Sequence, residues 1–148
     1  MEIERKFTVK KLPDRLESYP SRIIEQAYLN TDPVLRIRRE DEDYYLTYKG
    51  RGLMAREEYN LPLNRASYEH LLPKADGVRI AKRRYRIPFG PYTIELDIFA
   101  APFAPLVIAE VEFSSVEEAN AFVPPEWFDR DVTRDPAYHN SNLSKRTF

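Results

Sequence analysis

The sequence lacks cysteine altogether, and this absence excludes both a disulfide framework and a thiolate metal site. Histidine is nearly as scarce, with only His70 and His139, which leaves too few ligands for a typical zinc site. No apolar run approaches the length that spans a membrane, and no signal peptide precedes the first predicted strand. We therefore expect a cytoplasmic protein with no membrane partner.

An excess of either charge is also missing. The 23 Lys and Arg residues against 24 Asp and Glu residues give a net charge of −1, whereas a general nucleic-acid binder is strongly basic. We therefore expect no nucleic-acid partner. The 148 residues, of which 43% are hydrophobic and 32% charged, are typical of one globular domain over residues 1–148. For its assembly we expect a monomer or a homodimer.

Glycine is rare, and three of the four glycines fall in polar turns between segments of alternating polar and apolar residues. Eight such segments predict strands, at residues 2–8, 22–30, 34–39, 44–49, 56–61, 78–87, 92–99 and 106–113. The turns at residues 40–43, 50–52 and 90–91 are short. Short turns favour antiparallel pairing of the strands that they connect.

Helices are predicted to be few, short and peripheral. Asn64 is a candidate N-cap for a helix that ends by Pro73, and Ser115 with Glu118 has the spacing of a capping box. At residues 135–136, an aspartate followed by a proline predicts the start of a C-terminal helix. The sequence therefore predicts an α+β fold dominated by antiparallel sheet.

Charged residues recur at period two along nearly every predicted strand. Glu2, Glu4 and Lys6 leave the same face of the first strand, because side chains alternate between the two faces of a sheet. One interpretation is an ordinary sheet with one solvated, charged face. We favour a closed sheet with a charged lumen, because solvent exposure does not require charge on every strand. The few helices also offer no obvious layer to cover the apolar faces.

The predicted lumen combines acids with bases. The acids are Glu2, Glu4, Glu58, Glu95, Asp97, Glu110 and Glu112, and the bases are Lys6, Arg36, Arg38, Lys49, Arg56, Lys82, Arg84 and Arg86. Carboxylates suit Mg²⁺ or Mn²⁺, and arginine binds phosphate oxygens bidentately. A small polyanionic phosphate chain that carries a metal ion needs both groups, so the pattern favours phosphoryl transfer to water.

The motifs along the chain resemble those of the CYTH superfamily, the triphosphate tunnel metalloenzymes. A Glu-x-Glu-x-Lys motif is present at residues 2–6, an Arg-x-Arg strand at 36–38, and a lysine strand that ends at Lys49. An Arg-x-Glu element lies at 56–58, a basic strand at 82–84, and acidic strands at 95–97 and 110–112. The resemblance covers almost the whole chain in order, so it is far more specific than the first motif alone.

The resemblance implies an eight-stranded antiparallel β-barrel, a triphosphate tunnel, with Mg²⁺ or Mn²⁺ as cofactor. It implies metal ligation by Glu2, Glu4, Glu110 and Glu112, with help from Glu58 and Asp97. The implied triphosphate-binding residues are Lys6, Arg36, Arg38, Lys49, Arg56, Lys82 and Arg84, and Lys145 on the C-terminal helix is a further candidate. The implied catalytic residues are Glu2, Glu4, Lys6, Lys49 and Tyr28. Asn60 departs from the family, in which a second glutamate is common at this position.

The family hosts several activities. Our first prediction is hydrolysis of inorganic triphosphate to pyrophosphate and phosphate, because a short single-domain chain suits a small symmetric substrate. The alternatives within the family are a nucleoside or thiamine triphosphatase and an adenylate cyclase. A non-catalytic polyphosphate or nucleotide sensor needs the bases but gains nothing from so many acids beside its anion. The simplest alternative is a structural β-protein with a solvated, charged sheet.

Overall fold

An antiparallel sheet accounts for most of the fold. A computed structural model describes residues 1–147, and in this range it contains ten strands, three short α-helices and three 3₁₀ turns. The strands are β1 (Glu2–Val9), β2 (Ser21–Thr31), β3 (Val34–Glu40), β4 (Asp43–Lys49), β5 (Ala55–Arg56), β6 (Glu58–Leu63), β7 (Asp76–Phe89), β8 (Tyr92–Phe99), β9 (Val107–Glu112) and β10 (Phe128–Asp131). The helices are α1 (Arg65–Leu71), α2 (Val116–Ala121) and α3 (Asn140–Leu143), and the 3₁₀ turns are Leu16–Ser18, Leu72–Lys74 and Pro136–Tyr138. The prediction of an α+β fold dominated by antiparallel sheet is confirmed.

All eight predicted strands are present, and two details differ. The strand predicted at residues 56–61 is divided at Glu57 into β5, which pairs with β1, and β6, which pairs with β4. The sequence pattern also fails to predict β10, which pairs with β1. That strand has four residues, of which the last three are charged, so it shows no alternation of polar and apolar residues.

The sheet curls but does not close into a barrel. Neighbouring strands follow the order β10-β1-β9-β8-β7-β2-β3-β4-β6. In residues 1–147 the prediction of a closed eight-stranded barrel is wrong, because β6 lies at the end of this order and forms no ladder with β1. The two-residue β5 pairs with β1 instead, since the chain changes partner at Glu57. The curl still brings Lys49 on β4 to within 2.9 Å of Glu2 on β1, so the inner face surrounds a tunnel-like space.

Two of the three hydrophobic clusters lie on the outer face of the curled sheet. One cluster packs strand residues against α2 and the segment after it, and its members include Phe7, Leu96, Val111, Phe113, Ala119 and Phe122. A second cluster lies under α1 and consists of Ala27, Ile37, Tyr44 and Tyr68. A third cluster, which includes Tyr28, Val34 and Ile80, shares the inner face with the charged residues. The strands thus turn most of their charged residues inward, which is the arrangement that the period-two pattern favours.

Two of the helices begin at the residues predicted to cap them. Asn64 Oδ1 accepts a hydrogen bond from the Ser67 amide at 2.7 Å, and Ser115 Oγ accepts one from the Glu118 amide at 3.1 Å. The predicted C-terminal helix is shorter than one continuous element. Asp135 caps the 3₁₀ turn Pro136–Tyr138, and α3 follows this turn. Within the described residues, none of the helices is long and apolar enough to cross a lipid bilayer.

Candidate active site

The inner face of the sheet encloses a cavity of about 250 Å³ whose lining is mostly charged. Its lining includes the predicted site residues Glu2, Glu4, Lys6, Tyr28, Arg36, Arg38, Lys49, Arg56, Glu58, Arg84, Glu110 and Glu112. It also includes Val34, Glu40, Asn60, Arg86, Glu95, Asn140 and Ser141. Most of the predicted site residues, although distant along the chain, therefore meet in one cavity.

Two of the predicted site residues, Asp97 and Lys82, are buried in the cavity wall and do not line the cavity. Lys82 Nζ lies 2.7 Å from Asp97 Oδ2, and both side chains are inaccessible to solvent. Arg84 Nε and Nη2 donate to the two carboxylate oxygens of Asp97 at 2.7 and 2.8 Å. Both oxygens of Asp97 are therefore occupied by cations. The proposed metal site therefore does not include Asp97, and the proposed substrate site does not include Lys82.

The charges of this buried cluster hold one another in place. Burial acts to raise the pKa of Asp97, but the charges of Arg84 and Lys82 outweigh burial and lower it. Burial lowers the pKa of Lys82 to about 8, although Asp97 opposes this shift. Asp97 is therefore ionised at neutral pH and stabilises two buried cations.

Lys145, the third predicted residue outside the cavity, is exposed to solvent. It borders a separate cavity of about 90 Å³ together with Tyr28 and Ser144. Helix α3 instead supplies Asn140 and Ser141 to the main cavity. The C-terminal helix therefore contributes to the candidate site through uncharged polar residues rather than through the predicted lysine.

The Glu-x-Glu-x-Lys motif places three buried side chains on the inner face of β1. The register of β1 with β9 sets Glu4 opposite Glu112 and Lys6 opposite Glu110. Lys6 Nζ lies 3.6 Å from Glu110 Oε1. Because residues directly opposite on antiparallel strands have neighbouring side chains, this register gathers three carboxylates around one lysine.

Lys49 joins the two sides of the curled sheet. Its Nζ donates to Glu2 Oε1 at 2.9 Å and lies 3.2 Å from Glu58 Oε2. Burial raises the pKa of Glu2 despite Lys49, and a hydrogen bond with Glu58 adds to this rise. Burial acts to raise the pKa of Glu58 as well, but its contacts with Glu2, Lys49 and Asn60 outweigh burial and lower the pKa to about 2. Lys49 therefore lies between two carboxyl groups whose pKa values shift in opposite directions.

The carboxylates of the cavity repel one another. Burial raises the pKa of Glu4 to about 8, and the charges of Glu110 and Glu2 add to the shift. Burial also raises the pKa of Glu112, again with help from neighbouring carboxylates. Among residues 1–147, no group of three or more ligand side chains forms a ready metal cluster. Mg²⁺ commonly uses one or two carboxylates with water and substrate phosphate, so this donor set fits Mg²⁺ or Mn²⁺.

Arg36 and Arg38 on β3 are held by uncharged partners. Arg36 Nη2 donates to Thr47 Oγ1 at 3.4 Å, and Arg36 Nε is buried without a hydrogen-bond partner among residues 1–147. Arg38 Nε and Nη2 both donate to Gln26 Oε1, at 3.0 and 2.7 Å. Burial and the charge of Arg36 lower the pKa of Arg38 to about 10, so Arg38 stays protonated at neutral pH. These guanidinium groups retain both charge and donors for an anion.

Sequence reasoning assigns no role in the site to Gln26, Glu40 or Asn140. Gln26 is uncharged and lies outside the charge pattern, although its spacing of two residues from Tyr28 places it on the inner face of β2. Glu40 belongs to a predicted turn, whereas it ends β3 and lines the cavity. Asn140 comes from a helix whose sequence carries no charge. Strand parity is the signal that places Gln26 on the inner face. For Asn140 the signal is its position in a tail that resembles the closing segment of the family.

The fold and the site together define a class of protein. It is a curled antiparallel sheet whose inner face sets crowded carboxylates beside arginines that lack a charged partner. The sequence model of the CYTH domain matches residues 1–115, a range that contains every cavity-lining residue except the two from α3. The chain belongs to the CYTH domain family, so the resemblance drawn from the motifs is confirmed.

Relatives and a solved structure match nearly the whole chain. An inorganic triphosphatase of Nitrosomonas europaea is 42% identical over 149 residues, which cover 97% of this chain and 96% of the relative. An inorganic triphosphatase of Acetivibrio thermocellus is 37% identical over 155 residues, which cover 99% and 95% of the two chains. A crystal structure of an inorganic triphosphatase is similar to this fold with a TM-score of 0.74 and 36% identity, over 99% of this chain and 96% of that chain.

Proposed function

We propose that this protein hydrolyses inorganic triphosphate to pyrophosphate and phosphate. The lining of the cavity carries the proposal. Among the described residues, Val34 and Tyr28 are the only lining side chains with substantial apolar surface, and the others are charged, amide or hydroxyl groups. An organic group would find little to pack against, whereas a chain of phosphoryl groups matches the lining. Both full-length relatives, at 42% and 37% identity, are named inorganic triphosphatases.

The bases of the cavity would bind the phosphate chain. Arg36 and Arg38 offer donors that no carboxylate neutralises, while Lys6, Lys49, Arg56 and Arg84 each lie beside a carboxylate. Transfer of a phosphoryl group to water requires little covalent work from the protein. Positioning of the phosphate chain and neutralisation of its charge by these residues would supply most of the rate acceleration.

We also propose that the activity depends on Mg²⁺ or Mn²⁺. The cavity carboxylates that would hold the ion are Glu2, Glu4, Glu58, Glu110 and Glu112. A bound divalent ion neutralises and polarises phosphate oxygens, which stabilises the charge of the transition state. The raised pKa values of Glu2, Glu4 and Glu112 support this proposal. Burial, together with repulsion from neighbouring carboxylates, disfavours their ionised forms, and a bound cation would favour those forms.

A substrate panel tests the proposed function. Purified protein is given tripolyphosphate, pyrophosphate, ATP or thiamine triphosphate with Mg²⁺ or Mn²⁺, and the release of phosphate and of cyclic AMP is measured. We expect metal-dependent release of phosphate from tripolyphosphate and slow release from pyrophosphate. Pyrophosphate is too short to contact all of the phosphate-binding side chains. Equal or faster turnover of pyrophosphate contradicts the proposal. Faster turnover of an organic triphosphate, or production of cyclic AMP, favours one of the alternative activities.

Three further assignments stay predictions. Tyr28 and Lys49 line the same cavity, and their role in tuning the site awaits substitution. A cytoplasmic location follows only from the sequence pattern. The choice between a monomer and a homodimer requires a measurement of mass in solution.

A further inference from the structure

Arg38 is anchored by a buried amide rather than by an acid. Gln26 on β2 lies directly opposite Arg38 on β3, and its side chain has no exposure to solvent. Gln26 Oε1 accepts from both Nε and Nη2 of Arg38, at 3.0 and 2.7 Å. This fork fixes the plane of the guanidinium. It leaves Nη1 and one N–H of Nη2 for another acceptor, and Arg38 lines the cavity.

The other cations of the cavity are anchored differently. Lys6, Lys49, Arg56, Arg84 and Arg86 each form a salt bridge with a carboxylate, at distances of 2.7 to 3.8 Å for the shortest pair of each. Among residues 1–147, the lining cations without a salt bridge are Arg36 and Arg38. A glutamate has nearly the same length and shape as a glutamine. Opposite Arg38, Gln26 therefore offers the same oxygen acceptor that a glutamate would offer, but without the negative charge.

We propose that Gln26 is a positioning residue, which orients the Arg38 guanidinium for a triphosphate while leaving the positive charge of Arg38 uncompensated. The inference rests on the proposed function for the identity of the anion. A charged anchor would also orient the guanidinium, as Asp97 does for Arg84. It would weaken the attraction of Arg38 for phosphate, because opposite charges in a buried site neutralise each other strongly.

The local packing supports a dedicated role for this amide. Gln26 lies between Arg38 on β3 and Ile80 on β7, the latter fully buried. Gln26 Nε2 is also 3.5 Å from the hydroxyl oxygen of Tyr28, which lines the cavity. Gln26 thus touches two lining residues without reaching the cavity itself. Its effect on a ligand must pass through the side chains that it holds.

Gln26→Glu separates the proposed role from simple packing. We expect tripolyphosphate affinity, measured by calorimetry in EDTA, to fall about 10- to 100-fold, because the new carboxylate neutralises Arg38. The melting temperature should stay the same or rise, since arginine gains an ionic partner. The matched control is Ile23→Glu, which adds the same charge at an exposed position on the outer face of β2 and should leave the affinity unchanged. Wild-type affinity in Gln26→Glu overturns the proposal.

A double-mutant cycle keeps the proposal testable if the glutamate variant does not fold. Gln26→Leu removes the acceptor without adding charge, and it is combined with Arg38→Ala. If Gln26 acts through Arg38, Gln26→Leu weakens binding in the wild-type background and has no further effect when Arg38 is already absent. Equal losses in the two backgrounds overturn the proposal.

The binding measurement distinguishes this inference from the proposed function, because it involves neither metal nor turnover. Wild-type protein that binds tripolyphosphate but never releases phosphate contradicts the hydrolase and leaves the Gln26 comparison intact. Active wild-type protein with an unaffected Gln26→Glu variant contradicts only the role of Gln26. Wild-type protein that binds no tripolyphosphate without metal also overturns the role of Gln26, since uncompensated charge is its basis.

Discussion

Two walls of the tunnel hold arginine side chains in opposite ways. Arg36 on β3 and Arg84 on β7 are equally buried, at 5% and 6% exposure, and both line the cavity. The partner of Arg36 is the hydroxyl of Thr47, whereas Arg84 is bound by the carboxylate of Asp97. Burial therefore does not reveal what a buried arginine does. A neutral partner leaves the positive charge uncompensated, and a charged partner already balances part of it within the fold.

The largest effect is expected from loss of the carboxylate that binds Arg84. Asp97→Asn removes the charge that stabilises two buried cations, so we expect the free energy of unfolding to fall by about 3–5 kcal/mol. Unfolding by urea measures the loss, and Asp129→Asn, at an exposed position, is the control. If both variants unfold at the wild-type urea concentration, the buried cluster around Asp97 is not a structural support.

Arg38→Ala removes an arginine that has only an uncharged partner, and it should affect catalysis rather than stability. We expect kcat/KM for tripolyphosphate to fall roughly 10²- to 10³-fold, or about 2–4 kcal/mol of transition-state stabilisation. Stability should change little, because the substitution also relieves repulsion from Arg36 and Arg84. Arg83→Ala, on the exposed face of β7, is the matched control and should stay close to wild type. Equal losses of kcat/KM for the two variants would show that Arg38 has no specific role in the site.

Glu112→Gln tests whether the carboxylates of β9 serve a cation or the fold. Because the pKa of Glu112 is raised above its unfolded value, its ionised form disfavours the native state at neutral pH. We expect the metal-free variant to gain at most about 0.5 kcal/mol at pH 7, since Glu112 is partly exposed, and to gain nothing near pH 4. Melting curves at the two pH values measure this difference.

The same variant should respond less to a divalent ion. Mg²⁺ or Mn²⁺ should raise the melting temperature of the wild type by mass action, and should raise that of Glu112→Gln much less. A large loss of stability in the metal-free variant, with no effect of metal on either protein, would identify Glu112 as a salt-bridge partner instead.

The smallest effect is expected at Lys145. This lysine is exposed and borders a cavity separate from the tunnel, so Lys145→Ala should leave the KM for tripolyphosphate unchanged. Lys49→Ala is the comparison, because Lys49 lies inside the tunnel between Glu2 and Glu58. A marked rise in KM for Lys145→Ala would show that this lysine, which follows α3, reaches the substrate after all.

Period-two alternation predicts which side chains face inward, and most of the candidate site follows from that rule alone. Parity does not predict how far along the tunnel a side chain lies. Lys82 and Arg84 share one face of β7, yet Lys82 lies against the ring of Phe99 and Asp97, inside the wall. The sequence therefore identifies the correct face for Lys82 but not its burial against Asp97.

Two features depend on pairing between distant segments, which the local pattern does not encode. Because the strand is interrupted at Glu57, β5 pairs with β1 and β6 pairs with β4, and the expected barrel does not close. The role of Gln26 depends on Arg38 across the strand pair, and an uncharged residue attracts no attention in a pattern of charges.

The placement of most of the core outside the sheet largely separates folding from chemistry. Residues such as Phe7, Val111 and Phe122 pack between the sheet and its helices, while the backbone of the sheet stands between them and the tunnel. A charged side chain of the tunnel lining can therefore be exchanged without disturbing this outer packing. Asp97 and the inward-facing cluster around Ile80 are exceptions, because these buried groups serve the fold from the inner face. A fold of this kind allows new anion specificities to evolve while the sheet and its outer packing stay the same.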